Sequence, residues 1–275
     1  YARVERILAE DGRVRGVRMA DGHDVFCNCV VSDAGAANTF GRLLPQDLAH
    51  RHGYDRLLQQ VHTSSAYLCV YIGLQASAAE LGLPRTNFWI YPDNDSDAAL
   101  ERFMADPDAP FPVVYLSFPS AKDPDFERRH PGKATIEVIA PVPYRLFERW
   151  EGTTWGRRGE DYEALKRGFG ERLLEQLYAR LPQLRGRIDY WEISTPLSMQ
   201  WFGNWRHGEL YGLDHDPARL QADWLRPRTR VPGLWLTGQD VMSCGVSGAM
   251  MGGMACATAL AGMRRMEAMM KRIFG

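Results

Sequence analysis

The sequence lacks an excess of either charge, and this excludes the partners that such an excess would serve. Its 275 residues include 33 Lys and Arg against 34 Asp and Glu, which gives a formal net charge of −1. A balanced chain has no bulk attraction for nucleic acid or for an anionic membrane, and we expect no nucleic-acid partner. The hydrophobic content of 45% is ordinary for a globular protein. The length allows one large domain or two modest ones.

The sequence also lacks any cysteine pair with the spacing of a redox or zinc site, and its five cysteines are scattered. The cysteines are Cys27, Cys29, Cys69, Cys244 and Cys256. An odd number without a CxxC pair is typical of reduced thiols, so we expect buried thiols in a cytoplasmic protein. No GxSxG motif occurs. His50, His52 and His62 lack partners at ligand spacing, and we interpret them as surface histidines without a metal.

No secretory signal peptide precedes the first predicted strand, and the chain begins with Tyr rather than Met. Because alternation is already under way in residues 2–8, we expect the chain to start within a fold. An uncharged segment runs from Val241 to Met263 and contains the GxxxG pair Gly248 and Gly252. Its Gly, Ala, Ser, Cys and Met residues would enter lipid only weakly, so we favour close helix packing over a membrane span.

Turn signals and alternation predict a β-meander over residues 3–31. The pairs Asp11–Gly12 and Asp21–Gly22 mark two hairpin turns. The last strand ends in Ser32-Asp33-Ala34-Gly35, which is typical of a buried strand that stops at a ligand edge. Residues 36–60 are predicted to be helical and broken by Pro45.

Beyond residue 61 the pattern predicts a mainly antiparallel sheet. The predicted strands are residues 65–74, 87–91, 113–118, 134–140 and 188–193. An amphipathic helix is predicted from Asp161 to Leu181, with Pro182 at its end. A last, long helix is predicted after Ser247, with basic residues toward its C-terminus.

Residues 233–253 carry the clearest signal of a ligand-binding site in the chain. An apolar strand, Leu234–Leu236, leads through a turn to a helix that opens at Gly245. A helix N-terminus presents free N–H groups and a partial positive charge, and glycines let a planar or anionic ligand approach the backbone. Asp240 lies between strand and helix, where it can accept a hydrogen bond from a sugar or ribityl hydroxyl. On spacing alone, a tight turn without a ligand stays an alternative.

The same stretch carries a family resemblance. Leu236-Thr237-Gly238-Gln239-Asp240, followed by Gly245-Val246-Ser247-Gly248-Ala249, resembles the C-terminal flavin motif of the phytoene desaturase and retinol saturase family of FAD-dependent oxidoreductases. Residues 30–35 resemble the strand that re-enters the FAD domain, and residues 194–196 and 208–212 resemble the return from the substrate domain. The resemblance covers essentially the whole chain and is closer to the retinol saturase side.

This resemblance implies a flavin site formed by the two strand ends and the last helix. The expected cofactor-binding residues are Ser32, Asp33, Gly238, Gln239, Asp240, Gly245, Val246, Ser247 and Gly248. The resemblance implies that Asp240 lies near the ribityl chain and phosphates and that the helix N-terminus faces the isoalloxazine. It implies no catalytic acid or base.

Aromatic residues cluster in the sequence around the expected return to the FAD domain. They are Trp191, Trp201, Phe202, Trp205 and Tyr211. We interpret them first as core at a domain interface and second as an apolar wall for a polyene or fatty substrate. The substrate-side candidates are Met199, Trp201 and Tyr211, and Tyr211 is expected near the flavin.

One departure from the family is large. The family opens with a GxGxxG fingerprint for the ADP half of FAD, and the sequence has none. The nearest match, Gly168-Phe169-Gly170, falls inside the predicted amphipathic helix and has Leu173 at the third position. The chain is therefore expected to be the C-terminal part of such a protein, to bind FAD poorly alone and to self-associate through exposed sheet surface.

The resemblance implies an α/β fold, with an incomplete Rossmann-like FAD-binding domain and an inserted, mainly antiparallel α+β substrate domain. The expected FAD-domain segments are residues 1–60 and 198–263, the substrate domain is 61–197, and residues 264–275 form a C-terminal helix extension.

The implied activity is hydride transfer between flavin N5 and a C–C bond of a hydrophobic polyene or isoprenoid-like substrate. An amine-oxidase-like flavoenzyme and a flavin-free module that binds lipid or a partner are the alternatives. The expected location is cytoplasmic, with peripheral membrane contact through Phe274 and the nearby basic residues.

Overall fold

The computed structural model describes residues 2–274, except for the side chains of Met270, Ile273 and Phe274. The membrane contact expected of Phe274 lies outside the described side chains. The strands are β1 (Val4–Glu10), β2 (Arg13–Met19), β3 (Asp24–Phe26), β4 (Val30–Ser32), β5 (Ala66–Leu74), β6 (Phe88–Ile90), β7 (Val114–Ser117), β8 (Ala134–Val142), β9 (Ile188–Ser194) and β10 (Leu234–Leu236).

The helices are α1 (Ala36–Asn38), α2 (Gln46–Arg51), α3 (Tyr54–Leu57), α4 (Ser96–Ala105), α5 (Pro119–Lys122), α6 (Phe126–Arg129), α7 (Glu160–Arg180), α8 (Pro196–Gly203), α9 (Pro217–Gln221), α10 (Gly245–Ala261) and α11 (Met263–Phe274). A π-helical turn occurs at Thr39–Leu43, and 3-10 turns occur at Leu58–Gln60, Tyr144–Leu146, Glu148–Trp150 and Pro182–Leu184. The expected α/β class is confirmed.

The chain divides into two compact units, of which the first is Tyr1–Ser64 with Tyr211–Gly275 and the second is Ser65–Leu210. In the first unit, β1, β2 and β3 form the predicted antiparallel meander. β4 pairs in parallel with β10, which places Ser32 opposite Leu236. Because the two strands run the same way, their carboxyl ends lie at one edge.

The core of the first unit is built around stacked aromatic rings. The rings of Phe40 and Tyr54 lie 3.8 Å apart and almost parallel. Trp224 packs edge-on against both, at 6.0 and 6.2 Å. The Tyr54 hydroxyl accepts a hydrogen bond from the Arg230 N–H at 2.8 Å, so the one polar atom of this buried ring is satisfied.

The second unit is an antiparallel sheet of order β6-β7-β8-β5-β9. Every pair in it is antiparallel, as the alternating pattern predicted. One face is buried and carries Leu68, Val70 and Ile72 of β5, each at most 3% exposed. The amphipathic helix α7 contributes Phe169 and Leu173 to the same core. It begins with acidic residues, which favours a helix N-terminus, and it ends before Pro182.

The prediction of one uninterrupted last helix is wrong. α10 ends at Ala261, and α11 begins at Met263. Gly262 between them has φ of 85°, a left-handed conformation that favours glycine and ends an α-helix.

The expectation that the thiols are buried is wrong for Cys29 and Cys244, which are exposed. Cys27 and Cys69 are half-buried, and Cys256 is buried. All five are free. Among the helices of residues 2–274, none is long and apolar enough to cross a bilayer.

The small residues of α10 serve close packing within the first unit. A Cβ atom at Gly252 would lie 2.2 Å from the Gly238 carbonyl oxygen, and one at Gly248 would lie 1.9 Å from the Ser243 carbonyl oxygen. The GxxxG pair therefore brings the helix against the turn that follows β10, in keeping with the packing interpretation.

Gly252→Ala should destabilise the chain by about 1–3 kcal/mol, because the backbone of the turn has no room for a methyl group. Gly253→Ala is the matched control, since a Cβ atom there would have its nearest neighbour at 4.0 Å. Urea unfolding followed by circular dichroism measures both variants. A Gly252→Ala variant as stable as Gly253→Ala would contradict the packing.

Candidate functional site

The site is built at the edge where β4 and β10 end together. The Thr237 N–H donates to the Ser32 carbonyl oxygen at 3.0 Å, which extends the parallel pairing into the turn. The Ser32 hydroxyl lies 2.6 Å from the Thr39 hydroxyl and is buried. Ser32, which was expected to bind the cofactor, therefore uses its side chain to hold the π-helical turn against the sheet.

Asp240 is buried between three chain segments and is only 2% exposed. Its Oδ2 accepts from the Ala36 N–H at 2.7 Å, and its Oδ1 accepts from the Leu213 N–H at 3.1 Å. Gly212 permits this approach, because a Cβ atom there would lie 2.6 Å from Oδ1. Both oxygens of Asp240 are thus engaged by the backbone, and its contact with a cofactor hydroxyl stays a prediction.

Arg219 fixes the turn in which Asp240 lies. The guanidinium donates to the Gln239 carbonyl oxygen at 2.7 Å and to the Met242 carbonyl oxygen at 3.0 Å. Arg219 is 4% exposed. Burial lowers the pKa of Arg219, and the nearby carboxylate of Asp240 opposes that shift. This pair sets the backbone path from the end of β10 toward the start of α10.

Sequence reasoning missed Arg219. The Asp216-Pro217 pair signals the start of α9, and the Asp216 side chain does accept from the Arg219 N–H at 2.7 Å. That local signal predicts a helix but not the direction of the guanidinium. Arg219 also lines a cavity of about 150 Å³ together with Asp240 and Met242.

At the edge where β4 and β10 end, Asp33 is exposed to solvent. Gly238, with φ of 86°, packs directly against it, since a Cβ atom at Gly238 would lie 1.7 Å from the Asp33 Oδ1. Although the residue as a whole is exposed, partial burial of its carboxyl group raises the pKa of Asp33, and the charge of Asp240 raises it further. Of the two predicted aspartates, Asp33 is the exposed one, and its contact with a cofactor stays a prediction.

The N-terminus of α10 is uncapped. The N-cap residue, Cys244, provides no side-chain hydrogen bond to the first turn. Gly245 has φ of 81° and open space where a Cβ atom would be. Val246 is 88% exposed, and Ser247 is exposed as well. The first-turn N–H groups are therefore available to a ligand, whereas Gly248 faces inward.

The substrate-side candidates fall in different units. Tyr211, in the first unit, is 37% exposed, and its backbone N–H donates to the Ser64 hydroxyl at 3.0 Å. Met199 and Trp201 lie on α8 in the second unit, where Met199 is half-buried and Trp201 is 50% exposed. The core interpretation is wrong for Trp201, Phe202 and Tyr211, because all three are exposed.

The donor set of the first unit suits a phosphate- and hydroxyl-bearing cofactor. It offers free backbone N–H groups at a helix start, one open carboxylate and glycines that admit close approach. Within residues 2–274, no group of three or more His, Cys, Asp or Glu side chains is arranged to hold a metal ion. The arrangement can bind and orient a ligand, and it presents no proton-transfer pair of its own.

No protein-family model matches the chain. The chain is 36% identical over 270 residues to the all-trans-retinol 13,14-reductase of Homo sapiens, covering 94% of this chain and 44% of that protein. It is 27% identical over 249 residues to the lycopene-forming phytoene desaturase of Pseudescherichia vulneris, covering 86% of this chain and 45% of that protein. The chain thus spans less than half of the length of these relatives.

A solved structure, an oxidoreductase from Methanosarcina mazei, aligns with a TM-score of 0.54 at 16% identity. The alignment covers 91% of this chain and 47% of that chain, and it supports the fold alone. The motif resemblance was to the phytoene desaturase and retinol saturase family. The two relatives are a retinol reductase and a phytoene desaturase, so the resemblance is confirmed.

Asp240→Asn should lower the free energy of unfolding by about 1–3 kcal/mol, because one of the two buried backbone N–H groups would lose its acceptor. The matched control is Asp223→Asn, at an exposed position of the same unit. Urea unfolding of both variants measures the difference. Equal stability of the two variants would show that the buried carboxylate does not tie the three segments together.

Proposed function

The chain is homologous to the phytoene desaturase and retinol saturase group of oxidoreductases, and we propose that it forms the flavin-facing part of an FAD-dependent enzyme. The proposed substrate is a hydrophobic polyene or isoprenoid-like molecule that reacts at a C–C bond. The observation that carries the proposal is the packing of α10, whose N-terminus is uncapped, against the turn that follows β10 at the edge shared with β4. That edge is formed by the residues that carry the motif resemblance.

In the proposed site, the backbone and one carboxylate hold the cofactor. The N–H groups of Gly245, Val246 and Ser247 face its electron-rich ring or phosphates, as a helix N-terminus favours. Asp33 accepts from a ribityl or ribose hydroxyl. Asp240 and Arg219 do not contact the cofactor in this proposal; they hold the turn between β10 and α10 in place.

When bound, the flavin would supply the redox chemistry, by exchanging a hydride at N5 with a substrate carbon while a proton enters or leaves at the neighbouring carbon. The residues of this chain bind and orient both partners. Glycines at the cofactor edge allow the cofactor to approach the backbone closely. When a bound ligand covers this side of α10, the exposed apolar side chains of Val246 and Met250 exclude water from it.

The substrate surface is proposed to be the second face of the sheet in the second unit. A row of outward side chains crosses four strands and consists of Trp89, Tyr115, Ile139 and Cys69, which we call the apolar row. Outward positions of a half-buried antiparallel sheet are normally polar. Trp89 is nevertheless 63% exposed, and burial raises the pKa of the Cys69 thiol to about 12, so that it stays neutral.

The decisive experiment uses the full-length parent protein. We expect it to purify with close to one flavin per chain, visible by absorbance, and its flavin bands to bleach or recover when a polyene is added without oxygen. The 275-residue chain alone should retain little flavin, since no GxGxxG motif is present in it. A parent without flavin, or with flavin that no polyene reduces or reoxidises, would favour the flavin-free binding module.

Asp33→Asn in the parent should weaken FAD binding by about tenfold, because a charge-assisted hydrogen bond to a cofactor hydroxyl becomes a neutral one. Asp47→Asn, on the exposed face of α2, is the control and should leave FAD affinity unchanged. Titration of the apoprotein with FAD measures both. Unchanged affinity in Asp33→Asn would remove Asp33 from the proposed site.

Membrane contact through α11 and self-association of the chain also stay predictions.

A further inference from the structure

One edge of the sheet in the second unit is a strand without a partner on its far side. β9 pairs with β5 and with no other strand. Within residues 2–274, no main-chain hydrogen bond joins β9 to a segment other than β5. The N–H and carbonyl groups that alternate away from β5 are therefore available to a further strand.

β9 is less protected than two other edge strands of the chain. β6, at the opposite edge of the same sheet, has three residues, so it gives a partner little to pair with. β1, at the edge of the meander, has seven residues but is irregular in register at two places, and such bulges protect an edge. β9 also has seven residues and contains no proline or lysine, and its register with β5 is regular over residues 190–194.

The side chains of β9 alternate between the surface and the core. Tyr190 and Glu192 are exposed, whereas Ile193 is buried and Trp191 is half-buried. The Trp191 ring packs against α7, since a Cβ atom at Gly170 would lie 2.4 Å from it. The Tyr190 hydroxyl donates to the Glu192 Oε2 at 3.0 Å. This hydrogen bond and the charge of Glu192 raise the pKa of Tyr190, so the hydroxyl keeps its proton.

We propose that β9 is a dimer interface, at which two copies of the chain pair their β9 strands antiparallel about a two-fold axis at Trp191. This register uses all seven residues of each strand and places Tyr190 of each copy opposite Glu192 of the other. A phenol hydroxyl then faces a carboxylate on both sides of the axis. An axis at Glu192 would instead bring the two carboxylates together, and like charges directly opposite each other are destabilising.

The groove beside β9 carries both signs of charge, as a surface that meets its own copy requires. A cavity of about 220 Å³ is lined by residues of α7 and β9, namely Glu163, Lys166, Arg167, Trp191, Glu192 and Ile193. Glu163 and Lys166 form an ion pair at 3.5 Å. Arg167 takes part in no ion pair within residues 2–274.

A second copy suits this groove better than a partner of one charge sign does. A uniformly acidic or basic partner would meet like charge somewhere in the groove, whereas a copy related by a two-fold axis brings both signs with it. The contact lies within the second unit and is separate from any association through the sheet of the incomplete FAD domain. It also goes beyond the proposed function, because it requires no flavin.

Sedimentation velocity of the purified 275-residue chain, from about 1 to 300 µM, tests the contact. We expect a reversible equilibrium of monomer and dimer with a Kd of about 10–100 µM, because a strand pair buries less area than a standard interface. Hydrogen exchange read by mass spectrometry should show residues 188–194 becoming protected as the dimer forms. Residues 88–90 of β6 should not change.

Tyr190→Glu should weaken the dimer at least about tenfold, because two carboxylates then face each other on both sides of the axis. Tyr91→Glu is the matched control, since it makes the same change at a tyrosine that is 50% exposed in the same unit but lies outside β9. It should leave the Kd unchanged. Circular dichroism of both variants checks that they fold.

A mixed dimer tests the register itself. A chain with Tyr190→Glu should associate with a chain carrying Glu192→Lys more tightly than with itself, since the introduced carboxylate then faces the introduced ammonium. Energy transfer between chains labelled with different dyes measures this preference.

Three results would overturn the inference. The first is a chain that stays monomeric over the whole concentration range. The second is a dimer that forms without protection of residues 188–194, a result that decides the matter even where Tyr190→Glu does not fold. The third is a folded Tyr190→Glu variant that dimerises as the unchanged chain does, or shows no preference for Glu192→Lys. No flavin enters these measurements, so the proposed enzyme is tested separately.

Discussion

The first unit depends on the burial of the Asp240 carboxylate. An ionised carboxylate is costly to remove from water unless hydrogen bonds or an opposite charge compensate it. Asp240 receives both, from the backbone N–H groups of Ala36 and Leu213 and from the neighbouring Arg219. Since these partners come from separate stretches of the chain, one side chain sets the spacing between the end of β4, the segment before α9 and the turn that leads into α10.

The glycines of the flavin-like motif serve this packing as much as they would serve a ligand. Gly212 makes room for the Asp240 carboxylate, Gly238 makes room for Asp33, and Gly252 makes room for the backbone of Gly238. Gly245, by contrast, has open space beside it. A motif of this kind therefore identifies the fold more directly than it identifies ligand contacts, and a glycine in it need not touch the cofactor.

Local signals explain which elements could be predicted. The meander follows from its Asp-Gly turns, and α7 follows from its leucine stripe and Pro182, because each signal lies within one element. The parallel pairing of β4 with β10 joins residues about two hundred positions apart, and only the family resemblance pointed to it. The inward direction of Arg219, the burial of Asp240 and the exposure of Asp33 depend on tertiary packing that no local pattern encodes.

The proposed cofactor edge and the proposed substrate surface rely on different parts of the chain. The proposed cofactor edge relies on N–H groups and on the room left by glycines, which substitution of nearby side chains changes little. The proposed substrate surface in the second unit relies on side chains, because β5 is paired along its whole length with β8 and over residues 69–74 with β9. On these grounds, substrate preference should diverge faster than cofactor use among proteins built on this plan.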